Sequence, residues 1–281
     1  MKNKVVLAII KCIARFPLGI LYLISDIMFV FLMFIIRYRR RVVRKHLTES
    51  FPEKSINEIK RIERKFYLFL SDQIVETIKL FHISDKEMRR RVVVKNYELI
   101  NSVNERGHSA VLMLGHYGNW EWVQEISCYF THGYMASIYH PLSNIFWDNT
   151  FIELRSRWGA HIIPMKSAPR KLLDKRNMPW VCGFIADQFT RNKHDDNHIE
   201  FLHHKTWFIY GPEEIGNKVG AEFFYLEMQR PRRGHYVITF TSLKPSDISQ
   251  PFPVTRQFWK EFEKTIEKEP AYWLWSHKRW K

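Results

Sequence analysis

Residues 16–36 (FPLGILYLISDIMFVFLMFII) form an apolar run of 21 residues broken by a single charge, Asp26. At about 1.5 Å per helical residue, such a run just reaches across roughly 30 Å of hydrocarbon. The chain must either bury this helix against protein or place it in lipid, and membrane attachment is the expectation. Crossing the bilayer and lying on it both remain open. Asp26 is tolerable only if it faces protein or sits near an interface. Arg37, Arg39, Arg40, Arg41, Arg44 and Lys45 follow with no acid among them. This flank is therefore expected on the cytoplasmic side, against the anionic leaflet. Lys11 and Arg15 interrupt the earlier apolar stretch and no small-residue cleavage site follows, which favours an anchor over a cleaved signal peptide.

Behind the anchor, Ile56, Ile59, Ile62, Phe66, Phe69, Leu70, Ile74 and Ile78 recur at helical spacing among Lys, Arg and Glu, so residues 52–81 read as an amphipathic helical arm. Strand-like apolar runs at 110–115, 134–139, 161–164, 180–186, 223–226 and 235–241 then alternate with helix-like stretches. Pro141, Pro179, Gly211-Pro212 and residues 231–234 punctuate them without a long linker. The expected fold is α/β: a single catalytic domain with a central mixed sheet flanked by helices, preceded by an N-terminal membrane-anchoring helix. The expected boundaries are 1–36 for the anchor, 37–90 for the basic segment and helical arm, and 91–281 for the core, with 37–281 one folded unit. Val254, Phe258, Phe262 and Ile266 line one face of a last helix. For Trp273, Trp275 and Trp280 in the basic tail, core packing, a membrane interface and base stacking all stand as readings.

The segment GHYGNWE, residues 115–121, carries the clearest chemical signal. His116 is expected at the end of strand 110–115. Asn119 is expected to cap a helix whose inner face holds Val123, Ile126 and Phe130. Positions five apart in one straight helix lie about 140° around its axis, so His116 and Glu121 meet only if the histidine sits in a turn. Gly118 allows that turn. Glu121 would then accept the proton of one ring nitrogen, leaving the other free to take a proton from a substrate hydroxyl. The bland alternative is a turn histidine and a solvated glutamate.

Forty-four Lys and Arg against 29 Asp and Glu give a net charge of +15, which points to an anionic partner: nucleic acid, acidic lipid head groups or an acidic carrier protein. No helix-turn-helix, zinc-finger spacing or RNA-recognition signature appears, so no nucleic-acid partner is expected and a nucleic-acid-binding protein is the remote alternative. Cys12, Cys128 and Cys182 form neither a C-x-x-C pair nor an even framework, in keeping with a reducing compartment. His194, Asp195, Asp196, His198, His203 and His204 lack a regular ligand spacing such as H-E-x-x-H, so a solvated polar loop is expected over 194–204 and no metal. No G-x-S-x-G nucleophile elbow is present.

In series, the apolar amino-terminal segment, RRRVVRKHLTESFP, GHYGNWE, LRSRWG, ADQ at residues 186–188, KVGAEFFYLEMQR and the ending AYWLWSHKRWK resemble the late lipid A acyltransferases. These are the lauroyl and myristoyl transferases of the lysophospholipid-acyltransferase-like group, and the resemblance covers nearly the whole chain. It implies transfer of a fatty acyl chain from acyl carrier protein to the 3-hydroxyl of an acyl chain on a glucosamine disaccharide phosphate, at the cytoplasmic face of a bacterial inner membrane. His116 would deprotonate the hydroxyl and Glu121 would orient and polarise it. The thioester is already activated, so no cofactor or metal is implied. Arg155 would stabilise the oxyanion or hold an acceptor phosphate, and Asp187 would bind acceptor or secure Arg155. Asn119 is grouped with them as a substrate or oxyanion contact, a helix cap being its simpler role. The same chemistry would serve a glycerolipid or an amino-acid lipid. The chain departs from the family pattern at Ser143-Asn144-Ile145, where Asn-Pro is frequent, at His203-His204, near which a glycine is usual, and at Glu213-Glu214.

Overall fold

The computed structural model describes residues 2–188, 190 and 193–280. Its strands are β1 (Val92–Lys95), β2 (Ala110–Leu114), β3 (Tyr134–Tyr139), β4 (His161–Pro164), β5 (Trp180–Ile185), β6 (His198–Phe201), β7 (His204–Trp207), β8 (Glu222–Arg232) and β9 (His235–Ser242). The helices are α1 (Lys2–Ala14), α2 (Leu18–Val30), α3 (Arg40–Ser50), α4 (Ile56–Lys79), α5 (Asp85–Arg91), α6 (Glu98–Glu105), α7 (Ile145–Arg155), α8 (Ala168–Leu172), α9 (Gly211–Val219) and α10 (Pro253–Lys268). Seven strands form one mixed sheet in the order β1-β9-β8-β2-β5-β3-β4. From β8 to β4 every neighbouring pair is parallel, while β8 and β9 form an antiparallel hairpin. The α/β architecture with an apolar amino-terminal helix is as the sequence implies.

Strand β2 is buried throughout because both of its faces are covered. Val111 and Met113 pack with Phe258, Trp259, Phe262 and Ile266 of α10. Ala110, Leu112 and Leu114 point the other way, into a cluster with Val75, Ile100, Trp122 and Ile126. The apolar runs read as strands from 110 to 241 all form strands. Strand β1, four residues directly after three arginines, has no apolar run long enough to mark it.

Two local expectations are corrected. Residues Trp122–Tyr129 form a 3-10 helix, not an α-helix. The stretch 194–204 is not a solvated loop, since β6 and β7 pair as a hairpin whose Phe201 packs edge-on against Trp259 and Trp273. Its turn residues Leu202 and His203 both have positive φ, 49° and 63°, a backbone that explains why glycine suits this place. Among the described residues, no group of three or more His, Cys, Asp or Glu side chains is arranged to hold a metal ion. The other departures from the family pattern have local work to do. Asn144 caps α7 through the Phe146 and Trp147 amides, and buried Glu213 accepts from the Val254 and Thr255 amides at the start of α10.

Residues Leu18–Ile35 are long and apolar enough to cross a membrane by length and composition. This segment nevertheless has protein along one side. Lys79 of α4 donates to the Ala14 and Phe16 carbonyls, Tyr22 to Glu76 and Ser25 to Asp72, so α2 runs antiparallel along α4. Leu21, Ser25, Phe29 and Met33 form the buried stripe, and Leu23, Ile27, Val30, Phe31 and Ile35 stay exposed. Asp26 faces protein, 2.7 Å from the Arg233 guanidinium in the β8–β9 turn.

Candidate active site

The parallel register of β2 and β5 pairs Ala110 with Val181 and Leu114 with Ile185, a constant offset. The Ala186 amide continues the ladder to the Leu114 carbonyl at 2.8 Å. Carried two residues past each strand, the same offset of 71 brings His116 to Asp187, whose Oδ1 lies 2.6 Å from His116 Nδ1. The pair thus stands at the carboxyl ends of adjacent parallel strands, where open α/β sheets place their ligand crevices.

The turn after β2 needs two glycines. A Cβ on Gly115 would enter the Phe262 ring, and Gly118 takes φ +63° with Met228 closing the space a side chain would fill. The tail fastens the turn. The Gly118 amide donates to the Tyr272 carbonyl and the Leu274 amide to the His116 carbonyl. Trp273 and Trp275 are therefore core residues, 1% exposed each, and not a membrane belt.

Asp187 is fully buried and accepts from three side chains: His116, the Trp273 indole at 2.8 Å and Arg279 Nη2 at 3.2 Å. Burial alone would push its carboxyl up, but the charges of His116 and Arg279 and the bonds from His116 and Trp273 outweigh it and hold the group well below the usual carboxylate range. An ionised carboxylate accepts only, so in the neutral imidazole Nδ1 of His116 carries the proton and Nε2 the lone pair. Gln188 Nε2, 3.2 Å from His116 Nε2, donates to that lone pair in the same tautomer. A substrate hydroxyl taking the place of Gln188 would meet a ready base.

This arrangement corrects two expected partnerships. Glu121 does not hold His116: the Trp120 ring lies edge-on against the imidazole, and Glu121 stands just before the 3-10 helix. Its carboxylate instead grips Arg155 at the end of α7 in a bidentate pair, Nε to Oε2 at 2.9 Å and Nη2 to Oε1 at 2.7 Å. Asp187 in turn does not secure Arg155, since its second oxygen is spent on Trp273 and Arg279. Arg155 keeps its charge: burial works against the cation, and the bonds and charge of Glu121 more than restore it. With Nε and Nη2 held, Nη1 is the end of the fork left for a substrate oxygen.

Asn119 is also corrected as a substrate contact. It is fully buried, its Oδ1 accepts from the Trp122 amide and Gln73, and its Nδ2 donates to Glu76 at 2.7 Å. Its carboxamide thus ties the turn to the first residue of the 3-10 helix and to α4. Sequence reasoning passed over Trp273, Arg279 and Gln188. Their signal was the quoted motifs alone, ADQ for Gln188 and the ending AYWLWSHKRWK for Trp273 and Arg279.

Residues 3–281 match the model of a family described as bacterial lipid A biosynthesis acyltransferase. A comparison with curated proteins returns no match.

Proposed function

The chain belongs to the family of bacterial lipid A biosynthesis acyltransferases, and from that footing we propose that it moves a fatty acyl chain from the thioester of acyl carrier protein to a hydroxyl of a lipid A precursor. The observation that carries this reading is the fully buried Asp187 fixing His116 as an outward-facing base. His116 Nε2 takes the proton of the acceptor hydroxyl, whose oxygen attacks the thioester carbonyl carbon. Asp187 stabilises the imidazolium that forms. Arg155, aimed by Glu121, offers Nη1 to the oxyanion. Collapse breaks the carbon–sulfur bond, and the leaving thiolate recovers the proton from His116, giving an acyloxyacyl ester and the free carrier thiol.

The exposed apolar face of α2 supports attachment to the inner membrane, with the basic residues from Arg37 to Lys45 on the cytoplasmic face. Because α4 and the β8–β9 turn lie beside α2, we place the helix along the surface with that face in the acyl chains.

The test is transfer of a labelled acyl chain from acyl carrier protein to a tetra-acylated lipid A precursor, using membranes that carry wild type or His116→Ala. Wild type is expected to transfer and the variant to lose about 10²-fold or more. Transfer to a glycerolipid in place of the precursor would replace the acceptor and keep the reaction. Equal rates in the two membranes would remove His116 from the mechanism.

A further inference from the structure

Beside Asp187, on the side away from His116, a cleft opens between the β6–β7 hairpin and the tail, lined by Lys193, His204, Lys205, Trp207, Arg279 and Trp280. None of its lining residues is acidic. The Lys193 and Lys205 ammonium groups both sit over the Trp207 ring, 4.4 and 5.3 Å from its centroid. Two buried polar atoms on this lining, Arg279 Nη1 and His204 Nε2, have no hydrogen-bond partner among the described residues. Such orphans are costly in an interior and call for a ligand. Two ammonium groups and a guanidinium N–H suit a group with several acceptor oxygens and more than one negative charge, which is a phosphate ester.

The cleft's other wall places it near lipid. The His46 ring of α3 packs edge-on against Trp280 at 5.1 Å, His46 Nδ1 lies 3.2 Å from the Trp275 carbonyl oxygen, and Arg39 donates to the Ser276 carbonyl. Arg39 stands three residues past the last residue of the apolar run, Ile36. With α2 seated in the acyl chains, this wall lies at head-group depth. We propose that the cleft is the seat of a phosphate ester on the membrane-held acceptor, an assignment that rests on the acyltransferase reading above. Arg279 then joins the two sites, with Nη2 on the Asp187 carboxylate and Nη1 available to the phosphate.

Protein in nanodiscs carrying both Lys193→Gln and Lys205→Gln tests the seat, since both lysines are exposed. The KM for a bisphosphorylated disaccharide acceptor is expected to rise about tenfold, with the KM for acyl carrier protein unmoved. The loss should shrink when one acceptor phosphate has been removed, and the double arginine variant should restore binding. A rise in the donor KM alone would assign the anion to the carrier's phosphopantetheine and overturn the acceptor assignment. No change in either KM would overturn the cleft as a substrate site. Independently of turnover, inorganic phosphate should raise the melting temperature of wild type more than that of the variant, and equal shifts would count against the site. A protein that shows this phosphate shift and transfers no acyl chain keeps its anion site and loses the acyltransferase reading.

Discussion

At the scale of single residues, Asp187 decides what His116 can do. Among the described residues it is the one carboxylate on the ring, and its second oxygen is committed to Trp273 and Arg279, so it has no freedom to swing away. Asp187→Asn would present an amide N–H to Nδ1 and drive the histidine proton onto Nε2, the position that must be empty. The expected fall in kcat is about 10²-fold to 10⁴-fold, with the fold preserved, as measured by acyl transfer beside circular dichroism. Glu121→Gln acts elsewhere, loosening the Arg155 fork, and should cost about 10²-fold or less. The reverse ranking would restore Glu121 as the partner of the base. His116 and Glu121 were legible as polar groups where an apolar run meets an amphipathic one, while Arg155 and Asp187 were marked by the family resemblance. Their pairing was not legible. A five-residue spacing suggests Glu121 for His116, whereas the true partner is 71 positions away and visible only once β2 and β5 are known to be parallel neighbours in register.

At the scale of elements, apolar runs of five or six residues identified the central strands, and helical spacing identified α4 and α10. Elements with polar sequences escaped: the β6–β7 hairpin, HIEF and HKTW, fully buries one side chain in each strand, Phe201 and Thr206, too few to show a period. The 3-10 helix Trp122–Tyr129 escaped for a different reason. Its three-residue repeat eclipses Trp122 with Glu125 and draws the glutamate inward with the tryptophan. Burial pushes the Glu125 carboxyl up to about 7, with Asp85 adding to the rise and Arg89 opposing it. Because the folded value lies above the unfolded one, near 4.5, the contribution of Glu125 to stability is complete at low pH and drains away as pH rises from about 4.5 to about 7. The loss is up to about 3 kcal/mol. Glu125→Gln should therefore melt higher than wild type at about pH 8 and lose that advantage by about pH 4.5. A constant difference in melting temperature across this range would mean that the glutamate is not protonated in the native state.

At the scale of the whole molecule, a buried polar network ties α2 to the turn after β2. Tyr22 of α2, Tyr236 of β9 and Asn119 all donate to Glu76, while Ser25, Arg230 and Arg233 converge on Asp72 one turn earlier in α4. Asn119 belongs to the turn that carries His116 and Glu121, so the seat of α2 and the geometry of the site share one set of hydrogen bonds. The sequence signals here were separate: an apolar run with one unexplained acid, an amphipathic arm, and a basic hairpin turn. Their meeting follows from the antiparallel packing of α2 on α4, which no local pattern encodes. Two of the acids here, Asp72 and Asp26, are not equivalent. Asp72 is buried with Arg230, whose side chain is 7% exposed, while Asp26 shares Arg233 at the rim. Removing Asp72 strands a buried guanidinium, so Asp72→Ala should cost about 3–5 kcal/mol and open the seam between α2 and α4. Asp26→Ala leaves Arg233 its bonds to Asp72 and should cost about 1 kcal/mol or less. Thermal unfolding in nanodiscs measures the difference, and limited trypsin digestion at residues 37–41 locates it: the Asp72 variant should be cut first there. If both variants melt together and are cut alike, α2 is held by its apolar stripe alone and the polar network does not join the seat of α2 to the candidate site.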